Sequence, residues 1–520
     1  MKRFQTLSRT TLIWLLLVVV SACSQADTAP RTLLILYTND IHDHVRPRAD
    51  GRGGLPWIAG HVAAVRASRN DVILLDAGDA TEKGDLVAFL TGSRITLEGM
   101  GRIGYDAIAV GNHEHNFGLD AVKDFHTAAG ARMLALNLVD EDGSPLLPVS
   151  RMIDRNGVRV GVIGMALPRP RDTLDFEASG LALADEAQRL REVEGAEVVI
   201  VVCHVGVADA ERWSAMAPAV DVFVTGHTHK TLHSAKVFES TGALAVQAGS
   251  NARWVGHLEL TIDDGGTIVS HRSHLVEMKH DRVEPDETLL AWIIEHESQL
   301  APDADEVITV LDAPLEWFAI ARLKAEALRV YGDADIGLYH PTHVVRNLLL
   351  PGPVTVNALF RTAADRGHPL IDTSLTGAEI TAYLNGLAVR DYARWGLTQW
   401  AGFEVEIDGA AGVHVIETSL DPDQSYRVVM PEREWEKRFL RLTEQLDADE
   451  REGVLAERDF SAHPAGFSSV DALAAYLRDL EEPVASNLAT LRQRQGDADA
   501  WEAPLAQRIL ARQLADAARD

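Results

Sequence analysis

The chain has 520 residues, of which 46% are hydrophobic. A chain of this length is too long for a single core, and we expect two domains with appended segments. This composition excludes an intrinsically disordered chain. The formal net charge of −28 argues against duplex nucleic acid as a partner, because binding to its phosphate backbone requires a cationic surface.

Residues 1–22 are predicted to be an export signal of the lipoprotein type and not part of the fold. The apolar run at residues 12–20 is too short to span a bilayer, which needs about 20 apolar residues. The run is followed by the motif VSAC ending at Cys23, which resembles a bacterial lipoprotein processing box. We expect lipidation at Cys23, a tether over residues 23–31, and a lipid-anchored protein of the cell envelope that faces the periplasm or the outer surface. A cleaved signal peptide with an incidental cysteine is the alternative.

Five apolar segments that follow are each succeeded by a cluster of Asp, His or Asn. Short runs rich in Val, Ile and Leu predict buried strands, and the carboxyl ends of such strands are where sheets flanked by helices build their sites. The runs and their clusters are 33–37 before Asp40 and His42, 72–75 before Asp79, 107–110 before Asn112 and His113, 198–202 before His204, and 222–225 before His227 and His229.

The spacing within these clusters favours a shared site. Asp40 and His42 are two residues apart, so on an extended chain both side chains point to one face. His227 and His229 have the same spacing, and Gly226 ahead of them allows a tight bend. A single Asp or His after a strand usually caps or turns the chain, but five clusters in succession supply the oxygen and nitrogen donors that suit Mg, Mn or Zn.

These clusters resemble the five signature blocks of the calcineurin-like metallophosphoesterases, most specifically GNHE at residues 111–114 and GHTH at 226–229. Their order and the later part of the chain resemble the bacterial 5'-nucleotidase and UDP-sugar hydrolase branch. The resemblance implies an α/β (α+β) fold, with a four-layer αββα metallophosphoesterase sandwich followed by a smaller α/β 5'-nucleotidase C-terminal-like domain.

The resemblance also implies a site for two divalent metal ions, whose bound hydroxide attacks phosphorus. Asp79 would bridge the ions, since its two oxygens can hold two cations. His113 would lie beside the phosphate and stabilise the transition state or protonate the leaving oxygen. The implied ligands are Asp40, His42, Asp79 and His229 for one ion, and Asp79, Asn112, His204 and His227 for the other.

One departure falls within the third block. The branch usually has GNHEFD, in which the Asp pairs with the catalytic His, whereas residues 111–116 of this chain are GNHEHN. Asn116 can orient His113 through a hydrogen bond, but an amide does not favour the charged imidazole as a carboxylate does. We therefore expect weaker general-acid assistance from His113.

The predicted domain boundaries follow from these blocks and from local periodicity. Helical spacing is expected at residues 55–69 and 185–193, and alternation typical of antiparallel strands at 243–249 and 256–262. The predicted domains are the metallophosphoesterase domain at 32–278, a helical connector at 279–306, the 5'-nucleotidase C-terminal-like substrate domain at 307–469, and a helical tail at 470–520.

The base-binding elements of the C-terminal-like domain are altered. The NxGGxR loop of the family is replaced by PTHVVR at residues 341–346, in which only the Arg, Arg346, is retained. Arg346 is therefore the candidate substrate-binding residue. The PFGN segment of the family is replaced by DRGH at residues 365–368. The GGDGY loop expected after residues 426–430 is absent from the sequence. Trp400 and Phe403 are candidates for base stacking, with a place in the core as the alternative.

The predicted function is two-metal hydrolysis of phosphate esters or anhydrides of nucleotide-like small molecules. One alternative is the same chemistry on a non-nucleotide phosphorylated compound or another oxyanion ester, because the base-binding loops are altered. A second alternative is a non-catalytic envelope binding lipoprotein, which the full set of ligands and His113 argues against. The sequence leaves the oligomeric state open.

Overall fold

The structure is a computed structural model that describes residues 31–494 except 141, 170–171, 342–347, 364–369, 391–397, 409–414 and 436–467. The predicted export signal, Cys23 and Arg346 therefore lie outside the described residues. The chain divides into two compact units. Among the described residues, the first contains 31–41, 60–79 and 100–277, and the second contains 42–59, 80–99 and those between 278 and 494.

The first unit is built from strands that form two six-stranded sheets in its described part. The strands are β1 (Arg31–Thr38), β2 (Val72–Asp76), β3 (Ala107–Ala109), β4 (Met133–Leu134), β5 (Ser150–Arg155), β6 (Val158–Met165), β7 (Val198–Cys203), β8 (Val222–Thr225), β9 (Lys236–Val237), β10 (Leu244–Val246), β11 (Trp254–Ile262) and β12 (Ile268–Glu277).

The first sheet has the order β12-β11-β1-β2-β3-β4, and the second has the order β5-β6-β7-β8-β10-β9. In the first, β1, β2, β3 and β4 run parallel; in the second, β6, β7, β8 and β10 do. Because parallel neighbours end at the same edge, the polar residues that follow them are gathered there.

Helices follow the parallel strands β1, β2, β3, β6 and β7. The helices of the described residues are α1 (Leu55–Ser68), α2 (Leu86–Leu90), α3 (Arg94–Ile103), α4 (Asn112–His115), α5 (Leu119–Ala128), α6 (Phe176–Glu192), α7 (Val207–Met216), α8 (Glu287–Leu300), α9 (Trp317–Tyr331), α10 (Val356–Ala363), α11 (Gly377–Arg390), α12 (Glu432–Glu434), α13 (Ser469–Arg478) and α14 (Val484–Arg494).

The two sheets of the first unit pack face to face. Leu33 and Ile35 of β1 belong to the same apolar cluster as Val160 of β6, and this cluster also contains residues of β7. The opposite face of the second sheet packs against α6 and α7, as in the contacts of Leu183 and Trp213. Strands buried on both faces explain the continuous apolar runs of the sequence.

The second unit contains, in its described part, a four-stranded sheet with the order β16 (Leu370–Thr376), β20 (Ser425–Pro431), β14 (Ile336–Tyr339) and β17 (Gln399–Ala401). Its core includes α9 and α13, which carries Leu473 and Leu477. Trp400 and Phe403 are buried in a neighbouring apolar cluster. The strands of this unit are β13 (Val307–Leu311), β14 (Ile336–Tyr339), β15 (Gly352–Thr355), β16 (Leu370–Thr376), β17 (Gln399–Ala401), β18 (Val405–Asp408), β19 (Val415–Thr418) and β20 (Ser425–Pro431).

The predicted fold class is confirmed, and the five apolar runs are strands β1, β2, β3, β7 and β8. One pairing differs from the prediction. The expected antiparallel strand at 243–249 is β10, which pairs antiparallel with the two-residue β9 but parallel with β8. Alternation along a sequence carries no information on the direction of the neighbouring strand, so this could not be predicted locally. None of the helices in the described residues has the length and apolar content needed to cross a bilayer.

Candidate metal centre

The backbone at most of the predicted ligands is left-handed. The φ angles of Asp40 and His42 are both 52°, and those of Asp79, His227 and His229 are 55°, 66° and 54°. Residues other than Gly rarely adopt this conformation, which costs about 1–3 kcal/mol and is concentrated at functional sites. The extended backbone expected at residues 40–42 is therefore wrong, because the chain turns sharply once β1 has ended.

Asp79 and His204 lie in contact at the carboxyl ends of β2 and β7. Oδ2 of Asp79 lies 2.9 Å from Nε2 of His204. Nδ1 of His204 is 2.8 Å from the backbone oxygen of Ala77, so this nitrogen carries the proton in the neutral ring. The Nε2 lone pair of the neutral ring is thus directed towards the Asp79 carboxylate, as expected of a metal-ligating histidine with a backbone partner.

His227 extends this cluster on the side of α4. The ligand atoms of Asp79, His204 and His227 all lie within 4.8 Å of one another. Nδ1 of His227 is 2.9 Å from Oδ1 of Asn112, at the start of α4. The structure thus brings the four predicted ligands of one ion together.

A second cluster contains Asp40 and His229. Oδ1 of Asp40 lies 3.2 Å from Nε2 of His229. Oδ2 of Asp40 accepts hydrogen bonds from Nδ2 of Asn39, at 2.7 Å, and from the backbone of His227, at 3.0 Å. His42, two residues further along the chain, completes a set whose ligand atoms lie within 4.8 Å of one another.

His113 is buried and lies beside the Asp79 carboxylate. Its Nε2 is 3.8 Å from Oδ2 of Asp79, and its backbone N–H donates to Oδ1 of Asp79 at 2.8 Å. Asn116, the predicted partner of His113, is exposed, and its Oδ1 accepts from Nη1 of Arg169 at 3.1 Å. The neighbouring His115 pairs with Asp172 at 3.0 Å.

Glu114 supports the site, a role that the sequence had not suggested. This fully buried carboxylate accepts hydrogen bonds through Oε2 from the backbone N–H of Asp79, at 3.0 Å, and of Gly111, at 2.7 Å. Glu114 thereby ties the β2 loop to the β3 loop. The available signal was its place three residues after Gly111, the spacing at which a Glu in the first turn of a helix can accept from the backbone N–H of the N-cap residue, as Glu114 does.

The electrostatics of the clusters suit cation binding. Burial opposes protonation of the His204 imidazole, but the carboxylates of Asp79 and Asp40 outweigh it and raise its pKa to about 10. Burial together with the nearby His204 lowers the pKa of His227. The Asp79 and Asp40 carboxylates therefore favour a positive charge at this position, which a bound cation would supply in place of a proton.

The donors present fit divalent cations. Carboxylate and amide oxygens with imidazole nitrogens are the ligands that Mn, Zn and Mg take in proteins. Asp40 and His204 are fully buried, and such polar groups are costly to hold in a protein without compensation. Asp79 belongs to a cluster with His204 and His227 and to another with His42 and His113, as a bridging carboxylate must.

Comparison with known families agrees with this geometry. Residues 33–231 match the family described as calcineurin-like phosphoesterase, and residues 308–432 match the 5'-nucleotidase C-terminal domain.

Two relatives illustrate the similarity in sequence. An uncharacterised metallophosphoesterase of Bacillus subtilis, YunD, is 24% identical over 410 residues, which cover 75% of this chain and 86% of that protein. A 5'-nucleotidase of Vibrio vulnificus is 23% identical over 472 residues, which cover 78% of this chain and 85% of that protein.

A solved structure shows the same fold. The 5'-nucleotidase precursor of Thermus thermophilus superposes with a TM-score of 0.66 at 22% identity, covering 87% of this chain and 97% of that one.

Proposed function

We propose, from the premise that the chain belongs to the calcineurin-like metallophosphoesterases with a 5'-nucleotidase C-terminal domain, that it hydrolyses phosphate esters or anhydrides of nucleotide-like molecules. As a member of this family it is a metal-dependent phosphoesterase that uses two divalent ions. The nucleotide-like substrate is the proposal. It is supported by the domain at residues 308–432 and by the names of relatives such as the Vibrio vulnificus 5'-nucleotidase.

The observation that carries the chemistry is the convergence of Asp79, His204 and His227. Two divalent ions held by these and the Asp40 cluster would supply positive charge for the phosphoryl oxygens and acidify a water molecule. The protein's own contribution is to fix the donors. Ala77 holds the His204 ring through its backbone oxygen, and Glu114 holds the Asp79 backbone.

The contacts of His113 support a role in proton transfer. Its ring is buried, its Nε2 lies 3.8 Å from Oδ2 of Asp79, and its backbone is hydrogen-bonded to the same carboxylate. An imidazole in such a position can hold a proton at Nε2 and deliver it to the departing oxygen of the ester. Arg169 donates a hydrogen bond to Asn116, which lies three residues after His113 in the sequence. A positively charged guanidinium group therefore lies beside Asn116.

A second candidate is the same chemistry on a non-nucleotide phosphate or another oxyanion ester. One observation favours it: Trp400 and Phe403 are buried in an apolar cluster, with ring centroids 6.2 Å apart and an interplanar angle of 29°. Two rings that pack against each other in a core are poorly placed to hold a base between them.

A substrate panel tests both candidates. Purified protein is analysed for bound metal and then assayed with nucleoside monophosphates, cyclic nucleotides, UDP-sugars, aryl phosphates and aryl sulfates. The proposal expects the highest kcat/KM on a nucleotide substrate. Preference for the aryl esters would favour the second candidate, whereas bound metal without turnover of any substrate would contradict both.

We also propose that Cys23 carries a lipid that anchors the protein to the cell envelope, with the active site facing the periplasm or the outer surface. The VSAC motif after an apolar run supports this. Cys23→Ser should release the protein from the membrane fraction and abolish incorporation of labelled fatty acid. If neither changes, the segment is an ordinary signal peptide with an incidental cysteine.

A further inference from the structure

Three histidines meet on the outer face of the first sheet, away from the residues of the candidate metal centre. His61 lies on α1, His257 on β11 and His274 on β12. His257 and His274 stand directly opposite each other in the antiparallel pairing of their strands. Facing residues of neighbouring strands bring their side chains to about 5 Å, so the two rings share one patch of surface.

The rings of this histidine cluster are in contact. Nε2 of His61 lies 2.8 Å from Nε2 of His257, and the centroids of these rings are 5.1 Å apart. The ring of His274 lies against that of His257, with centroids 4.6 Å apart and an interplanar angle of 35°. The cluster therefore joins a helix to two strands through imidazoles alone.

The short nitrogen–nitrogen distance defines the protonation of the pair. Two N–H groups would clash at 2.8 Å and two lone pairs would repel, so a single proton lies between His61 and His257. Partial burial disfavours a further proton and lowers the pKa of both rings, and the neighbouring His61, His274 and Arg69 add to this effect at His257. The pair is held as neutral imidazoles, the form that binds metals.

The charged neighbours of the cluster pair with each other. Arg69 pairs with Asp71 at 2.6 Å and also contacts Glu259, which in turn lies 3.3 Å from Arg272. The two carboxylates offset part of the positive charge of the two guanidinium groups, although Arg69 still lowers the pKa of His257. These ion pairs reduce the repulsion that a divalent cation would meet there.

We propose that His61, His257 and His274 form a further transition-metal site, specific for an imidazole-binding ion such as Zn²⁺. The ion takes the place of the shared proton, which moves to Nδ1 of the donating ring so that both ligands remain neutral imidazoles. Zinc holds its nitrogen ligands at about 2.0–2.1 Å in a tetrahedron, which sets them about 3.3 Å apart. The His61 and His257 nitrogens, now 2.8 Å apart, would therefore separate by about 0.5 Å and turn towards a common point. His274 is exposed and its ring lies against that of His257, so it would supply a third nitrogen after a change in the orientation of its ring.

Such a site would clamp α1 to the sheet. The helix connects β1, which leads to Asp40, with β2, which leads to Asp79. A ligand that binds the folded protein and not the unfolded chain stabilises the fold increasingly as its free concentration rises. The expected effect of zinc at this site is therefore on stability, while the chemistry remains with the candidate metal centre.

Zinc stoichiometry tests the proposal. Protein freed of metal by a chelator and equilibrated with micromolar Zn²⁺ should bind three equivalents per chain in the wild type and two in His257→Gln. His61→Gln should behave like His257→Gln. The matched control is His271→Gln, which changes an exposed histidine on the same strand as His274 and should retain all three equivalents.

A second variant separates this proposal from the proposed function. Asp79→Asn should reduce binding at the candidate metal centre while the zinc-dependent rise in Tm that requires His257 persists. Circular dichroism confirms that each variant is folded. The proposal is overturned if the wild type binds no third equivalent, or if His257→Gln and His271→Gln bind equal amounts of zinc.

Discussion

Nε2 of His204 lies 2.9 Å from Oδ2 of Asp79, while the other ring nitrogen of His204 is fixed at 2.8 Å from the backbone oxygen of Ala77. The imidazole cannot turn away from the carboxylate without losing the Ala77 contact in a fully buried position. The Ala77 contact thus helps to pre-organise the pair, since it fixes the orientation of the His204 ring towards Asp79.

His204→Gln should abolish one of the two metal equivalents of the candidate centre and lower kcat/KM by about 100-fold or more, because supporting contacts alone change metal affinity by about 10–100-fold. Metal analysis and phosphate-release kinetics measure both effects. The matched control is His126→Gln, which also changes a histidine whose Nδ1 contacts a backbone oxygen, that of Met133, but which lies outside the clusters. Equal losses in the two variants would mean that His204 acts through folding alone.

Glu114→Ala should weaken metal binding by about 10–100-fold, since the backbone N–H groups of Asp79 and Gly111 lose their shared acceptor. Glu114→Gln keeps an oxygen that can accept both bonds and should lose much less. Titration of each variant with Mn²⁺ measures the difference. A Gln variant as weak as the Ala variant would show that the charge of Glu114, and not its hydrogen bonds, maintains the site.

Gly111→Ala should remove activity, because a Cβ at this position would lie 2.1 Å from Oδ1 of Asp79 and 2.3 Å from its backbone nitrogen. Either the Asp79 loop or α4 must then move, and both carry residues of the site. Metal content should fall together with phosphate release. Retention of normal activity in this variant would show that the approach of Gly111 to Asp79 is not required.

His113→Gln should lower kcat by about 10²–10⁴-fold, the usual contribution of general acid–base catalysis, while the metal content stays at the wild-type value. Loss of metal in this variant would make His113 a ligand instead.

Asn116→Asp should raise kcat or shift the acidic limb of the pH profile of kcat, because a carboxylate favours the charged imidazole of His113. Pairing of the new carboxylate with Arg169 would reduce this effect. An unchanged rate and pH profile would show that residue 116 does not act on His113.

The sequence predicted the strands of the site better than the shape of its loops. Continuous apolar runs identified β1, β2, β3, β7 and β8, since strands buried on both faces tolerate little else. The left-handed conformations of residues such as Asp40 and Asp79 left no trace in the sequence, because Asp and His occupy many kinds of turn.

Supporting residues were also beyond sequence-based prediction. Glu114 was visible within the GNHE block, but only the structure shows that its carboxylate binds the Asp79 and Gly111 backbones. Asp76 lies inside β2, where its residue type gives no hint of its partners. Such roles depend on contacts between segments far apart in the chain, which local patterns do not encode.

Asp76 should make the protein less stable as the pH rises. Burial raises the pKa of this fully buried carboxyl from 3.8 to about 7, despite hydrogen bonds from Thr38 and the Gly78 backbone. The unfolded chain therefore loses this proton at lower pH than the folded protein, so the free energy of unfolding falls between about pH 4 and pH 7 and then levels off. The full cost is at most about 4 kcal/mol.

Asp76→Asn should remove this dependence, because an amide oxygen still accepts from Gly78 while its Nδ2 donates to Thr38. Urea unfolding of the metal-free protein should show the variant to be more stable than the wild type at about pH 8 and similar to it at about pH 4.

Asp71→Asn is the control, with the opposite expected sign. Burial raises the pKa of Asp71, but hydrogen bonds from Arg69 and Thr32 outweigh it and lower this pKa. The Asp71 carboxylate therefore stabilises the folded protein at pH values above the pKa of Asp in the unfolded chain. Asp71→Asn should thus be less stable than the wild type at about pH 8. If Asp71→Asn and Asp76→Asn were both more stable than the wild type at this pH, the gain would come from the reduced negative charge of the protein and not from Asp76 itself.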